Sequence, residues 1–387
     1  MKRGTLKLRS HIILSLLLAC SSECFPQYFR VTVTVFPPAS SPKDSKVFIA
    51  GNDSAFGNWN PALIELDNKG DSVRTKQFVF ASGRNLEYKI TRGGWDVQAV
   101  YEAGVIPGNS HLVVLGDTEI VIRPVAWSDG MVKTSGGITG TVRYHKGLEG
   151  VGLQHSRDLI VWLPPSYNRE PNRRYPVLYM HDGQNIIDPR TSFAGFDWRV
   201  DEVADSLIRA GTMEEIIVVG IYNTPDRMIE YSDSRPGRAY ADFVVRTVKP
   251  LIDSTYRTKP DRLNTAVMGS SLGGLISFLF AWWYPDVFSK TACLSSAFSY
   301  NEGRVLKELE EEKKTKRSIR IYMDCGGYAG EATLKPGMER MIELLRHKGY
   351  KENVDFQTYY DPSADHSERA WASRLWRPLV FLFGNSR

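Results

Sequence analysis

The sequence predicts two domains of different texture, a small antiparallel β-sandwich followed by an α/β domain with a mostly parallel sheet and helices on both faces. Three observations carry this. The 387 residues exceed the ~250–300 at which a single core stops growing. Residues 27–127 read as short strands with turns between them and no sustained helical period. From residue 138 onward, continuous apolar runs alternate with helix-length segments, as strands buried on both faces do.

The chain opens with Lys2, Arg3, Lys7 and Arg9, then the apolar run 12–19 and Cys20. A basic stretch before a short apolar run is a secretory signal, here residues 1–24. The run falls short of the ~20 apolar residues that span a bilayer. Leu17-Leu18-Ala19-Cys20 resembles a bacterial lipobox, which makes Cys20 the lipidation candidate; Leu18 departs from the usual small or β-branched residue, so cleavage near Ser21 stays open. The expectation is export, either lipid-anchored at the cell envelope or periplasmic or secreted, with the anchor as the sole membrane contact. Those four bases belong to the 49 Lys+Arg, and the remainder nearly balances the 44 Asp+Glu. The basic excess of a nucleic-acid binder is therefore missing from the folded part.

In the first domain Val31, Val33 and Val35 alternate with polar neighbours, a half-buried strand. Runs at 46–50, 77–80, 86–91, 111–115 and 119–125 follow, separated by Gly, Asn, Asp and Pro. A glycine-bearing connector, 128–137, leads to the second domain, 138–387. There the runs 159–163, 177–180, 216–221, 266–268, 291–294 and 319–323 read as buried strands. Segments 198–209, 239–252, 272–283 and 338–346 read as helices, and the charged run 308–316 as a solvated face and linker. Cys293 and Cys325 fall in buried strands, no cysteine–histidine spacing suits zinc, and the reading contains no metal or organic cofactor.

Gly269-Ser-Ser-Leu-Gly273 follows an apolar strand and opens a helix. This G-x-S-x-G pattern puts Ser271 on a sharp strand-to-helix turn, where larger residues at Gly269 or Gly273 would clash. The Leu272 N–H then faces a developing oxyanion. A phosphate loop would need Lys-Ser/Thr after the glycines, and none follows. In α/β-hydrolases the acid and then the histidine come after the serine. Downstream histidines are His347, inside a helix, and His366, in a loop, which is the favoured base. Glu331 and Asp324 both follow the strand 319–323 and both remain open as the acid, with Glu331 ranked first. The loop His181-Asp-Gly-Gln184 offers the second oxyanion donor, the N–H of Gly183 or Gln184; His181 precedes the serine and does not fit the expected order.

The second domain resembles the esterase D-like esterases, α/β-hydrolases that include feruloyl, acetyl-xylan and siderophore esterases. The matching stretches are 179–185, 218–221, Arg227 with Glu230-Tyr231, Gly269–Gly274, and His366-Ser-Glu-Arg-Ala-Trp371. Relatives carry a carboxylate two or three residues beyond the glycine of the Cys-Gly pair; here Tyr328 and Ala329 fill those slots and Glu331 follows. The first domain resembles starch-binding modules through 56–61, 86–90 and Gly94-Trp95. That resemblance implies an α-glucan platform of Trp59, Lys89 and Trp95, while the later Asn-Arg pair of the family is replaced by Asn109-Ser110. The expected function is an exported serine esterase acting on an ester carried by a carbohydrate. Acyl transfer by the same residues and a glycan-binding lipoprotein with an inactive hydrolase domain are the rival readings.

Overall fold

The structure is a computed structural model that describes residues 27–42, 44–70, 72–101, 109–130, 137–192, 195–313 and 316–385. The signal segment, Cys20 and most of the connector lie outside the described residues. Among the described residues no helix is long and apolar enough to cross a membrane.

The first domain is built from β1 (Tyr28–Val35), β2 (Phe48–Gly51), β3 (Ile64–Glu65), β4 (Asp67–Asn68), β5 (Arg74–Ala81), β6 (Asn85–Thr91), β7 (Ala99–Val100), β8 (Ser110–Val113), β9 (Thr118–Ile122) and β10 (Ala126–Trp127). Two four-stranded sheets, ordered β4-β5-β1-β9 and β3-β2-β6-β8, face each other, and β7 pairs with β10. Every pairing is antiparallel except β1 with β9. Val31, Val33 and Val35 turn inward as the alternation predicts, onto Phe56, Phe78 and Phe80.

The second domain begins with β11 (Thr141–Leu148), β12 (Arg157–Leu163), β13 (Val177–His181), α1 (Val200–Arg209), β14 (Ile217–Ile221), α2 (Arg227–Glu230), α3 (Arg235–Phe243) and α4 (Lys249–Thr255). It continues with β15 (Thr265–Ser270), α5 (Leu272–Trp283), β16 (Lys290–Leu294), α6 (Tyr300–Glu311), β17 (Arg320–Gly326), α7 (Lys335–His347), β18 (Phe356–Asp361), α8 (Glu368–Arg374) and α9 (Trp376–Phe383). One eight-stranded sheet runs β11-β12-β14-β13-β15-β16-β17-β18, antiparallel at β11, β12 and β14 and parallel from β14 to β18. This is an α/β-hydrolase architecture. Val177 and Tyr179 of β13 feed the core on one face, Leu178 and Met180 the core on the other. That two-sided burial is why the sequence shows unbroken apolar runs rather than alternation. The charged run begins as the end of α6, whose Leu309 is buried, and leaves the helix after Glu311.

One buried ion pair ties β12 to α2. Arg157 donates to both oxygens of Glu230, at 3.0 and 2.9 Å, and its guanidinium lies over Tyr240 and Phe243. Both side chains are shut from water; Glu230 also accepts from the Thr224 hydroxyl at 3.2 Å, and Arg157 donates to the His155 carbonyl at 3.5 Å. Arg157→Met should therefore cost about 3–5 kcal/mol, because it strands a buried carboxylate. Adding Glu230→Leu should recover most of that loss. Urea denaturation of the single and double variants measures both, and a single variant as stable as wild type would contradict the burial argument.

Candidate active site

The sheet changes its direction of winding at β13, since β14 lies on one side of it and β15 on the other. A crevice opens beyond the carboxyl ends of the strands at such a point. The loop after β13 and the turn after β15 flank it.

Ser271 occupies that second turn with φ 57° and ψ −122°. Such a backbone costs on the order of 1–3 kcal/mol in a residue with a side chain. The surroundings hold it there. Its N–H donates to Leu294 at 2.9 Å, and its carbonyl accepts from Gly274, Leu275 and Ala297. A Cβ on Gly269 would lie 2.6 Å from the Gly273 carbonyl oxygen, so glycine is needed for the two arms of the turn to approach. Leu272 opens α5, and its N–H therefore lacks an intrahelical acceptor.

His366 follows β18, and its Nδ1 lies 2.8 Å from Glu331 Oε1. Glu331 follows β17 in a short 3₁₀ turn and is fully buried. Its other oxygen accepts from the Gly326 N–H at 2.7 Å and the Cys325 thiol at 3.3 Å. Burial alone would raise its pKa. The His366 hydrogen bond and charge, the Ser295 hydroxyl and the Arg374 guanidinium outweigh that and hold it down at about 2. The edge of the Trp371 indole fixes the His366 ring, with centroids 4.9 Å apart. Ser271 and His366 make no direct hydrogen bond, a gap that such pairs commonly show before substrate binds.

Asp324 is placed differently. It lies inside β17, fully buried, 3.1 Å from Arg374 Nε, and accepts from the Ser295 N–H and the Tyr322 hydroxyl. These partners fasten α8 to the sheet, and the carboxylate does not reach His366. His347 sits on the exposed end of α7, its Nδ1 2.8 Å from the Glu343 carbonyl.

The loop after β13 is clamped by a carboxylate. Asp182, at φ 57° and ψ 44°, accepts two hydrogen bonds from Arg227, both 2.7 Å, and one from Asn223 at 2.5 Å. Gly183 must be glycine, because a Cβ would lie 2.5 Å from the Gly220 backbone. The Gln184 side chain accepts from the Asn223 N–H at 3.2 Å, and its carbonyl from the Thr191 hydroxyl at 2.6 Å. His181 lies beneath this loop among Tyr231, Tyr240 and Phe280. Its Nδ1 is 2.7 Å from the Tyr240 hydroxyl, its Nε2 has no partner, and burial pushes its pKa down to about 3. It is a neutral packing group. Sequence reasoning did not single out Asn223, and it noted Arg227 only within a matching stretch; neither residue type carries a local signature for a loop clamp.

In the sandwich, the Trp59 and Trp95 rings are half-buried with centroids 6.4 Å apart. Lys89 donates to Gln98 Oε1 at 2.8 Å. Burial lowers its pKa to about 8, against the opposing pull of the Glu368 carboxylate. Glu368 opens α8 two residues beyond His366 and is buried. Burial raises its carboxyl to about 7, Asp182 adds to the rise, and Lys89 and Arg227 oppose it. The charges of Lys89 and Glu368 thus act on each other across the two domains.

Residues 151–382 match the family model described as "Putative esterase". The chain belongs to this esterase family. It is a carboxylic ester hydrolase. Residues 28–115 of the esterase match the model described as "Starch binding domain". An endo-1,4-beta-xylanase/feruloyl esterase of Xylanibacter ruminicola is 26% identical over 195 residues, 49% of this chain and 25% of that protein. An alpha-amylase of Niallia circulans is 30% identical over 108 residues, 27% of this chain and 8% of that one. The crystal structure of enterochelin esterase from Shigella flexneri aligns with 92% of this chain and 93% of its own, at 13% identity and a TM-score of 0.54, a likeness of fold.

His181 and Glu331 both bind a proton less readily in the folded esterase than in the unfolded chain, so acid favours unfolding. His181 acts as pH falls from about 6.5 toward 3, and Glu331 from about 4.5 toward 2. Each contributes ~1.4 kcal/mol per pH unit within its window. Urea midpoints measured from neutral pH to about 3.5 should give Glu331→Gln the shallower decline below about 4.5 and parallel profiles above it. Equal slopes below that point would contradict a buried, ionised Glu331.

Proposed function

We propose that the esterase cleaves acyl esters carried on a carbohydrate outside the cytoplasm, with Ser271 as nucleophile, His366 as base and Glu331 as the acid. The observation that supports this best is the 2.8 Å Glu331–His366 pair at the strand ends beside the Ser271 turn. Ser271 Oγ attacks the ester carbonyl while His366 Nε2 takes the hydroxyl proton. Glu331 holds Nδ1–H and stabilises the imidazolium. The Leu272 and Gln184 N–H groups take the tetrahedral oxyanion, which a dry site favours far more than water does. Collapse expels the alcohol, which takes the proton from His366. A water then follows the same path, releasing the acid and restoring the serine. Asp324 keeps α8 in place and takes no part in proton transfer.

The starch-binding domain favours a glycan as the carrier of the ester, and a xylanase/feruloyl esterase among the relatives combines glycan and ester chemistry in one protein by name. Trp59 and Trp95 are the stacking surface in this reading, with Lys89 beside them and an α-glucan as ligand. The basic leader, the apolar run and Cys20 support export with a lipid anchor.

Ser271→Ala should abolish hydrolysis of a soluble aryl ester with the melting temperature kept, and His366→Ala should come close to it. Glu331→Gln should lower kcat by up to ~10⁴ with KM little changed, whereas Asp324→Asn should mainly lower stability. A large kcat loss in Asp324→Asn without loss of stability would transfer the acid role to Asp324.

Trp59→Ala and Trp95→Ala should each weaken retention on amylose or glycogen while leaving turnover of the soluble ester within about twofold of wild type. Wild-type protein that passes every α-glucan unretarded would reject glucan binding at this surface.

A further inference from the structure

Three carboxylates converge around the start of α1, apart from the serine. One oxygen each of Asp197, Asp201 and Glu202 lies within 4.8 Å of the other two. Asp201 is fully buried and Asp197 nearly so. Asp201 Oδ2 accepts from the Thr139 N–H at 2.6 Å, and Asp197 Oδ2 from the Arg199 N–H at 2.9 Å. Glu202 Oε1 faces the half-exposed Arg199 guanidinium at 3.4 Å. The other oxygens of Asp201 and Glu202, Oδ1 and Oε2, are shut from solvent, and no donor from outside this carboxyl pair reaches them. Two buried carboxylate oxygens that meet only each other are costly unless a proton or a cation lies between them.

We propose that Asp197, Asp201 and Glu202 bind a hard divalent cation of the calcium type. The donor set is oxygen only, with no histidine or thiolate, which disfavours zinc. Calcium takes six to eight oxygen ligands at about 2.3–2.6 Å in flexible geometry, which suits carboxylate oxygens that all lie within 4.8 Å of one another. Magnesium demands near-ideal octahedral geometry and keeps several waters, which suits a buried all-protein cluster less well.

The position gives the ion a consequence for the esterase. Trp198, next to Asp197, donates its N–H to the Asn185 carbonyl at 2.9 Å, at the end of the Gln184 turn. Its ring lies 5.4 Å from that of Trp371, which in turn meets His366. Asp201 also holds Thr139, at the start of the second domain. An occupied site braces the segment beneath both the oxyanion loop and the histidine, so its ligands are positioning residues.

The test uses the full chain, stripped with EDTA and titrated with terbium or calcium. Trp198 is near enough to sensitise terbium emission. Wild type should show saturable emission that calcium displaces and magnesium displaces poorly. Calcium at 100 times its Kd should raise the melting temperature by roughly 5–10 °C. Asp201→Asn keeps an acceptor for Thr139 and removes the charge. It should lose the emission and the calcium shift, yet melt no lower than stripped wild type in EDTA. Glu202→Gln, on the more exposed ligand, should weaken terbium binding at least tenfold and serves if Asp201→Asn does not fold. Stripped wild type with neither saturable emission nor a calcium shift overturns the proposal, as does either variant responding like wild type.

Discussion

The backbone of Ser271 is the constraint on which the site depends. A residue with a side chain is held at positive φ between a buried strand and a buried helix, and that conformation survives only because neighbours leave it no alternative. Leu294 and Ala297 grip the serine backbone from the next strand, and Gly269 and Gly273 let the two arms of the turn touch. The same loop after β16 supplies Ser295, whose N–H bonds Asp324 and whose hydroxyl accepts from Trp371 and Arg374. The strain at Ser271 is therefore met by the same loop that fixes the helix behind His366. Loosening one part would loosen the other.

Carboxylates close to one another here differ in character because their surroundings differ. Glu331 accepts from the Gly326 amide and the histidine and stays ionised. Asp182 is ionised because Arg227 and Asn223 face it. Asp324 is paired with Arg374, yet burial still raises its pKa. Glu368 has weaker opposing charges and lies near the midpoint of its titration at neutral pH. Residue type does not separate these four. Donor geometry and distance to a cation do.

The fold class was legible because both periodicities are strong: β1 alternates, and β13, β14 and β15 are buried throughout around the apolar runs 177–180, 217–221 and 266–268. Ser271 stands out as a candidate because the turn demands glycines at fixed spacing, and His366 because chain order leaves few histidines. The ranking of Glu331 against Asp324 was not legible, since it depends on where β17 ends. The strand runs on through Gly326, so Asp324 is interior and Glu331 falls in the following turn. The Asp182 clamp joins residues 41 and 45 positions apart, a distance over which one sequence carries no pairing signal. The carboxylates at 197, 201 and 202 carry no motif spacing, since acids are common at a helix N-terminus, and it is the burial of Asp197 and Asp201 that distinguishes them.

The two domains meet through charge as well as through the connector. An ammonium that loses water at a junction is tolerated only with acceptors or an opposite charge near it, and Lys89 has Gln98 and the field of Glu368. Gln98 in turn donates to the Trp95 carbonyl at 3.1 Å, so the tryptophan surface, the lysine and the start of α8 form one connected series. The lysine is already engaged, which leaves the indole faces of Trp59 and Trp95 as the part of that surface able to take a sugar ring without breaking a polar contact. In the reading of a carbohydrate-borne ester, a saccharide stacked there sits beside the segment that carries His366.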